Sequence, residues 1–341
     1  MVQAYKTETG SGGPETLVGG PRARRPFARW RGDRGIWRRG IVLAVCAVLV
    51  ALVMIFHAQI PNRIGNLGSL GETFLPWLAV IFVPVLFAAA LWRRSATALI
   101  AVLLPAVVWL NLFGGLLTDK STGGGDLTVA SHNVNAENPD PEGTAAKVAA
   151  SGADVLALQE LAQGQVKTYE KALSSTYKYH SVQGTVGLWS KYPLAGTKPV
   201  GIRMGWTRAM RTTVATPQGE VAVYVAHMPS VRVKMRAGFT AGQRDDSADA
   251  LGEAISRERS GKVVLLGDLN GTMNDRALNA VTSQMRSTQG AAGDGFGFSW
   301  PASFPLARID QILVKGVEPV SSWTLPRTDS DHLPVAARVQ L

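Results

Sequence analysis

One cysteine, Cys46, stands among 341 residues. No intrachain disulfide can form, and a Cys-rich zinc centre is excluded with it. Cys46 lies inside an apolar run, where it reads as a small packing residue. Charge is scarce as well: 18% of residues are charged and 46% are hydrophobic, a balance that leans toward membrane. No internal repeat is present. An excess of basic charge is missing from most of the chain. The net charge is +10, but residues 1–118 hold 12 Lys and Arg against 4 Asp and Glu, whereas residues 119–341 hold 23 against 21. The nearly neutral C-terminal part weakens the case for a nucleic-acid partner held through its phosphates.

The first third is rich in long apolar runs. Residues 1–40 form a Gly/Ser/Thr-rich start followed by a basic cluster from Arg22 to Arg39, expected to be a disordered cytoplasmic arm. Apolar runs extend from Ile41 to about Ile60, from Phe74 to Trp92 and from Ala96 to Leu117. Each is near the ~20 residues that cross a hydrocarbon core. A cleavable signal peptide would explain the first run alone, but two more follow it. Residues 41–118 are therefore expected to be an anchor of three transmembrane helices. Arg93-Arg94 lie between the second and third runs, and the loop from Pro61 to Thr73 carries only Arg63. This bias predicts a multi-pass cell-membrane protein with a cytoplasmic N-terminus and an extracytoplasmic C-terminal domain. Only His57, near one end, is ionisable within the runs, which argues for an anchor and against a transport path. Residues 119–126, with Gly123–Gly125, read as a linker. From Thr118 to Leu127 it reaches at most ~35 Å, which keeps the next domain near the membrane.

From Leu127 to Leu341 the pattern changes to short apolar strands alternating with helical stretches. Strands are predicted at Leu127–Ser131, Val155–Leu158, Val186–Ser190, Val221–Ala226, Val263–Leu266, Ile309–Val314 and Val335–Val339. Helices are predicted at Gly143–Ser151, Ala162–Leu173, Asp246–Arg259 and Asp275–Thr282, with Asp245, Asp246 and Ser247 as N-caps of the third. Mixed strands and helices predict an α/β or two-sheet core.

Four short segments end or adjoin these strands: LQE ending at Glu160, GDLN at Gly267–Asn270, RID at Arg308–Asp310 and SDH at Ser330–His332. Together they supply carboxylates, amides and an imidazole, the groups that hold a divalent metal and cleave a phosphoester. Asp268 and Asn270, two residues apart, leave their strand on one side of the chain. Taken alone, Glu160 is equally an ordinary helix-start glutamate, and GDLN equally a turn. Asp310 sits in an apolar strand and needs a partner if ionised. His332 is the obvious one, since a carboxylate fixes its tautomer and raises its pKa.

These segments, in this order, resemble the endonuclease/exonuclease/phosphatase superfamily, whose members share the DNase I-like fold. Ser131-His132-Asn133 matches the opening strand that ends in Asn. LWSKYPL (Leu188–Leu194) and VYVAHMPS (Val223–Ser230) match two further landmarks. The resemblance covers about Leu127 to Leu341. It implies a four-layer α/β sandwich with Glu160 as principal metal ligand and Asp331 assisting the metal site. Asp268 would orient or deprotonate the attacking water, with Asn133 and Asn270 holding phosphate and water. Asp310 would orient His332, while His332 and His227 stabilise or protonate phosphoryl and leaving-group oxygens. Mg²⁺ is the expected cation, with Mn²⁺ able to replace it. His132 stands where the family usually has an aromatic and reads as packing. His180 and His57 read as surface or interface residues. Trp189, Trp206 and Trp300 read as core or rim.

A second basic group flanks the His227 strand and includes Arg208, Arg211, Arg232 and Lys234, interleaved with Met204, Trp206 and Met210. It reads either as a solvated loop surface or as a rim for an anionic head group, lipid or nucleic acid. Three functions follow as expectations: an extracytoplasmic phosphoesterase acting on a lipid-linked phosphate or pyrophosphate, a surface nuclease, or an inactive binding module on an anchor. The complete carboxylate set argues against the last. The short linker and near-neutral domain favour the first. The arrangement also resembles glycopeptide (teicoplanin) resistance proteins of actinobacterial type, which implies a role in resistance through an undecaprenyl-linked precursor.

Overall fold

The computed structural model describes residues 35, 38–62, 67–230 and 240–341. The cluster from Arg22 to Arg34, and Arg63, Arg232 and Lys234, lie outside the described residues. The apolar runs form helices α1 (Ile41–Ile55), α3 (Leu75–Trp92) and α4 (Ala96–Phe113), with a short α2 (Leu67–Thr73) before the second. Two of them, Leu75–Trp92 and Ala96–Leu116, are long and apolar enough to cross a membrane. A third such helix is not shown among the described residues. Helix α1 stops at Ile55 after 15 residues, and the polar His57–Gln59 segment turns as a 3-10 helix. At 1.5 Å per residue α1 spans ~22 Å, short of a ~30 Å hydrocarbon core.

Two six-stranded sheets follow. One has the order β11-β12-β1-β2-β4-β3, the other β5-β6-β7-β8-β10-β9. The first contains β1 (Leu127–Asn133), β2 (Val155–Gln159), β3 (Tyr179–Gln183), β4 (Val186–Ser190), β11 (Glu318–Thr324) and β12 (Val335–Gln340). The second contains β5 (Leu194–Pro199), β6 (Ala209–Thr216), β7 (Gly219–His227), β8 (Val263–Asp268), β9 (Arg286–Ser287) and β10 (Asp310–Lys315). In each sheet one central pair is parallel, β1 with β2 and β7 with β8, and its other pairings are antiparallel.

Side-chain alternation builds four layers. Val221, Val223 and Val225 of β7 face the other sheet, together with Val129 and Val155. Ala222, Tyr224 and Ala226 face α7 (Thr240–Ser256) through Ala248, Leu251 and Ile255. On the far side, Ala130, Leu156 and Leu158 pack against α5 (Pro141–Ala149) and α6 (Val166–Leu173). Central strands buried on both faces read as unbroken apolar runs, and all of these were legible. The expected N-caps Asp245, Asp246 and Ser247 instead lie inside α7, which starts at Thr240. Ser247 turns its hydroxyl back to the Gln243 carbonyl.

The apolar helices and the sandwich are joined by specific contacts. Trp77 donates its indole N–H to the Leu306 carbonyl at 2.7 Å. Phe296 stacks on Phe298 and meets Trp109 and Phe113 of α4. Arg244 of α7 is 2% exposed; it pairs with Asp275 at 2.6 Å and donates to Ser69 Oγ of α2 and to the Asn270 carbonyl. The glycine-rich linker also docks: Thr122 N–H donates to the Val320 carbonyl and Asp126 N–H to that of Val339. Removing one partner of a buried pair leaves the other charge uncompensated. Asp275→Ala is therefore expected to cost ~3–5 kcal/mol, read as a fall in unfolding free energy of the detergent-solubilised protein.

Candidate active site

Strand register assembles the site. The parallel pairing of β7 and β8 sets His227 beside Asp268, and the antiparallel pairing of β10 and β8 sets Asp310 on the other flank of Asp268. The facing sheet contributes Asn133 at the end of β1 and Glu160 just past β2. The segment leading into β12 brings His332, fixed by Ser330, whose hydroxyl donates to the Asn133 carbonyl and accepts from the His332 N–H. Gly267 precedes Asp268 where β7 passes so close that any side chain would collide with the Ala226 carbonyl. Glu160 and Asn270 both leave their strands in the left-handed region, at φ 58° and 47°. For a residue other than glycine this costs ~1–3 kcal/mol, a strain typical of functional positions.

Asn133 ties the two sheets together. Its Nδ2 donates to Glu160 Oε1 at 3.0 Å and to Asp268 Oδ2 at 2.9 Å. Asn270 donates its backbone N–H to Asp268 Oδ1 at 2.8 Å and its side-chain amide to Oδ2 at 3.2 Å and to the Met228 carbonyl. Despite these bonds, burial and then the Asp310 charge push the Asp268 carboxyl up to about 7. Asp310 accepts from His332 Nδ1 at 2.8 Å and from the Ser299 hydroxyl at 2.7 Å. Burial alone would raise Asp310; the His332 charge and these two hydrogen bonds outweigh it and hold the carboxyl low. Burial alone would lower His332, but Asp310, then Asp268, with Asp331 adding, carry it up to about 10. His332 is thus an imidazolium at neutral pH, with Nε2 3.9 Å from Asp268 Oδ2. His227 behaves in the opposite way. Burial, then the Arg208 and His332 charges, keep it neutral. Its Nε2 lies 3.4 Å from Glu160 Oε1, and Arg208 Nη2 lies 2.6 Å from its Nδ1.

Glu160, His227, Asp268, Asn270 and His332 line one cleft with Asp331, Trp300 and Arg208, while Asn133 and Asp310 stand behind them. Arg211 is not part of it. It pairs with Glu258 at 2.9 Å and borders a separate surface groove. His132 is fully buried, bonded to Thr328 at 2.9 Å and pushed down to about 3 by burial. Trp189 is fully buried and Trp206 exposed. His57 meets Glu72 at 3.4 Å, and His180 stacks on Trp189. Sequence reasoning missed Ser299, a hydroxyl in a loop with no motif around it. It also missed Leu70, Thr73 and Phe74, which form one wall of the cleft. Distance along the chain hid them, since nothing in a helix connector announces a catalytic wall.

Among the described residues, two groups of side chains bring ligand atoms within 4.8 Å of one another: Glu160, His227 and Asp268, and Asp268, Asp310 and His332. The first suits a hard divalent cation. It offers two carboxylates and a neutral imidazole, and Glu160 is 31% exposed for substrate access. The second suits it less, because His332 Nδ1 is engaged with Asp310. A cation on Glu160 and Asp268 would polarise phosphoryl oxygens. Around it, Asn133 and Asn270 fix the carboxylates, and imidazolium His332 offers a proton from Nε2.

This strand-end constellation on two stacked sheets defines a phosphoester-hydrolase class. The sequence profile of the Endonuclease/Exonuclease/phosphatase family matches residues 130–332, and the chain belongs to that family. Members are phosphatases and nucleases, often metal-dependent. No curated protein sequence matches the chain. Among solved structures, the mannosyl-6-phosphatase of Bacteroides thetaiotaomicron is 18% identical, with a TM-score of 0.52, covering 63% of this chain and 100% of that one. Beta toxin from Staphylococcus aureus is 16% identical, with a TM-score of 0.51, covering 62% and 99%. TDP2 from D. rerio, complexed with a single-strand DNA product, is 16% identical, with a TM-score of 0.53, covering 63% and 99%. These likenesses establish the fold.

The His332–Asp310 pair sets a pH dependence. A histidine raised to about 10 contributes stability fully below its ordinary 6.5 and loses it as pH rises through about 10. Asp310→Asn is expected to move the alkaline limb of kcat/KM down toward the ordinary imidazole range. It is also expected to lower kcat by roughly 10²-fold or more, as measured in pH–rate profiles.

Proposed function

We propose that the protein is a membrane-anchored, outward-facing phosphoesterase that uses Mg²⁺, or Mn²⁺ in its place. Its substrate is the phosphate or pyrophosphate of an envelope lipid, undecaprenyl-linked, and its action contributes to resistance to teicoplanin-type glycopeptides. One observation carries the lipid reading: the catalytic cleft is walled by Leu70, Thr73 and Phe74, residues at the entry to the apolar helix α3. A head group reaching this cleft arrives beside the helices.

Membrane anchoring is supported by the surface. Among the described residues, every exposed large hydrophobic side chain lies between Ile41 and Leu117, except Trp206 and Phe304. Such a continuous apolar surface calls for lipid or a partner. The α2 segment and the sandwich touch through Ser69 and Arg244, which requires both on one side of a bilayer. That agrees with α3 and α4 both crossing, and the outward face follows when α1 crosses as well. The basic arm, apolar helices and phosphatase-like domain together resemble the VanJ type of glycopeptide resistance protein. Glycopeptides act outside the cell on lipid-linked wall precursors, so releasing phosphate from the carrier would bear on carrier supply.

In the proposed reaction Glu160 and Asp268 would hold the cation, with Asp331 nearby on the cleft wall. Asp268 orients and deprotonates water, Arg208 receives phosphoryl oxygens, Asn133 and Asn270 hold the carboxylates of Glu160 and Asp268 in place, and His332 protonates the leaving oxygen.

The test is phosphate release from undecaprenyl pyrophosphate in detergent micelles, alongside plasmid nicking, with and without Mg²⁺. Metal-dependent release that falls by roughly 10³-fold in Asp268→Ala is expected. DNA cleavage without lipid turnover would replace this reading by a surface nuclease. In cells, Asp268→Ala and His332→Ala are expected to abolish teicoplanin resistance while the protein stays in the membrane fraction. Retained resistance would sink the enzymatic account.

A further inference from the structure

A second cavity of about 270 Å³ lies beyond Thr73, which lines both it and the catalytic cleft. Its size is near the lower end of small-molecule sites, ~300 Å³. Neighbouring residues divide between the two cavities: Asn270 and Ile309 face the cleft, Thr272 and Arg308 the second cavity. The outer wall is apolar and comes from both halves of the molecule. Pro76, Phe113 and Leu116 belong to the helices or the turn that follows α4, and Phe296 and Phe298 to the sandwich.

The inner wall is different. Arg308 is 6% exposed and spends one nitrogen, Nη1, on the Gly297 carbonyl at 2.8 Å. Its Nε and Nη2 have no hydrogen-bond partner among the described residues. Oε1 of Gln289 and of Gln311, both nearly fully buried in the same wall, also lack a partner among the described residues; as acceptors they match a proton-bearing oxygen of a head group. Buried guanidinium donors left open are costly, and an anionic oxygen is the ligand they match best. Apolar walls at one end and an open guanidinium at the other describe an anionic amphiphile. A plain hydrocarbon would leave Nε and Nη2 of Arg308 without an acceptor, and a small inorganic anion would leave the phenylalanine walls unfilled.

We infer that this cavity is the second half of the substrate site, holding a non-scissile anionic oxygen of a phosphate-headed lipid on Arg308 and the start of its hydrocarbon chain against Phe113, Phe296 and Phe298. The scissile phosphate sits across Thr73 in the catalytic cleft. The remainder of the chain leaves past Leu116 along α4. The inference rests on the lipid-phosphatase reading above and adds its specificity: a diphosphate is preferred over a monophosphate, and a long chain over a short one.

The full-length protein in detergent micelles tests this with three probes: a long-chain polyprenyl diphosphate, the monophosphate of the same chain, and water-soluble p-nitrophenyl phosphate. Leu116→Trp narrows the exit. It is expected to raise KM for both long-chain lipids at least 10-fold and to cut the kcat/KM ratio of lipid to soluble ester by the same factor. Arg308→Lys keeps the charge but loses the fork. It is expected to cut the diphosphate-to-monophosphate kcat/KM ratio at least 10-fold. Thermal unfolding of each variant checks that the fold is retained. If the wild type turns over the lipids and neither ratio moves, the second cavity is only structural and the inference falls while the lipid reading stands. If the wild type hydrolyses the soluble ester but no lipid, the lipid reading itself fails, and the inference with it.

Discussion

A carboxylate that is 1% exposed at the end of a central strand constrains everything near it. Asp268 cannot remain charged in that position without partners, and the fold supplies them from both sheets. Asn133 crosses from the facing sheet, Asn270 folds back in a strained conformation, and His227 and Asp310 flank it through strand pairing. Even so its proton affinity stays high, and with Glu160 and His227 it forms a cluster that could hold a divalent cation. Asp310, equally buried, is satisfied differently. It is held by one imidazolium and one hydroxyl, and so remains ionised. Two neighbouring carboxyl groups thus acquire opposite tendencies from their surroundings, a separation suited to acid–base work.

The two histidines divide in the same way. His332 faces carboxylates and holds its proton; His227 faces Arg208 and releases it. A neutral imidazole can join a cation or accept a hydrogen bond, and a charged one can donate to a leaving oxygen. Neither property belongs to histidine as a residue. Each follows from which strand lies next to it, so the chemistry is set by sheet topology.

Much of this was legible in the sequence because buried parallel strands leave unbroken apolar runs. Functional groups at the ends of those runs stand out by contrast: Asn133 after LTVASH, Glu160 after VLALQ, Asp268 after VVLLG. The edge strands were not legible. β5 is largely exposed, β3 only partly buried, and in β11 Ser321 and Ser322 interrupt the apolar pattern across a shifted register. Arg211 was grouped with Arg208 by closeness in sequence. Yet the two are three positions apart on adjoining backbone of a strand with period two, and Arg211 turns to Glu258. The first apolar run continues to about Ile60 while its helix stops at Ile55, because composition carries no sign of where a helix stops. Ser299 and Arg308 escaped assignment because their roles exist only once distant loops meet.

Arg244 touches a catalytic-loop carbonyl with one nitrogen and a hydroxyl of the helix connector with another. The sandwich is therefore not a portable module carried on a stalk. A fragment starting at the first strand would lose Ser69 from beneath Arg244, bare the aromatic faces of Phe296 and Phe298, and open one side of the reaction chamber. Trimming such a protein to its recognisable family segment, residues 130–332, would yield an enzyme with a missing wall.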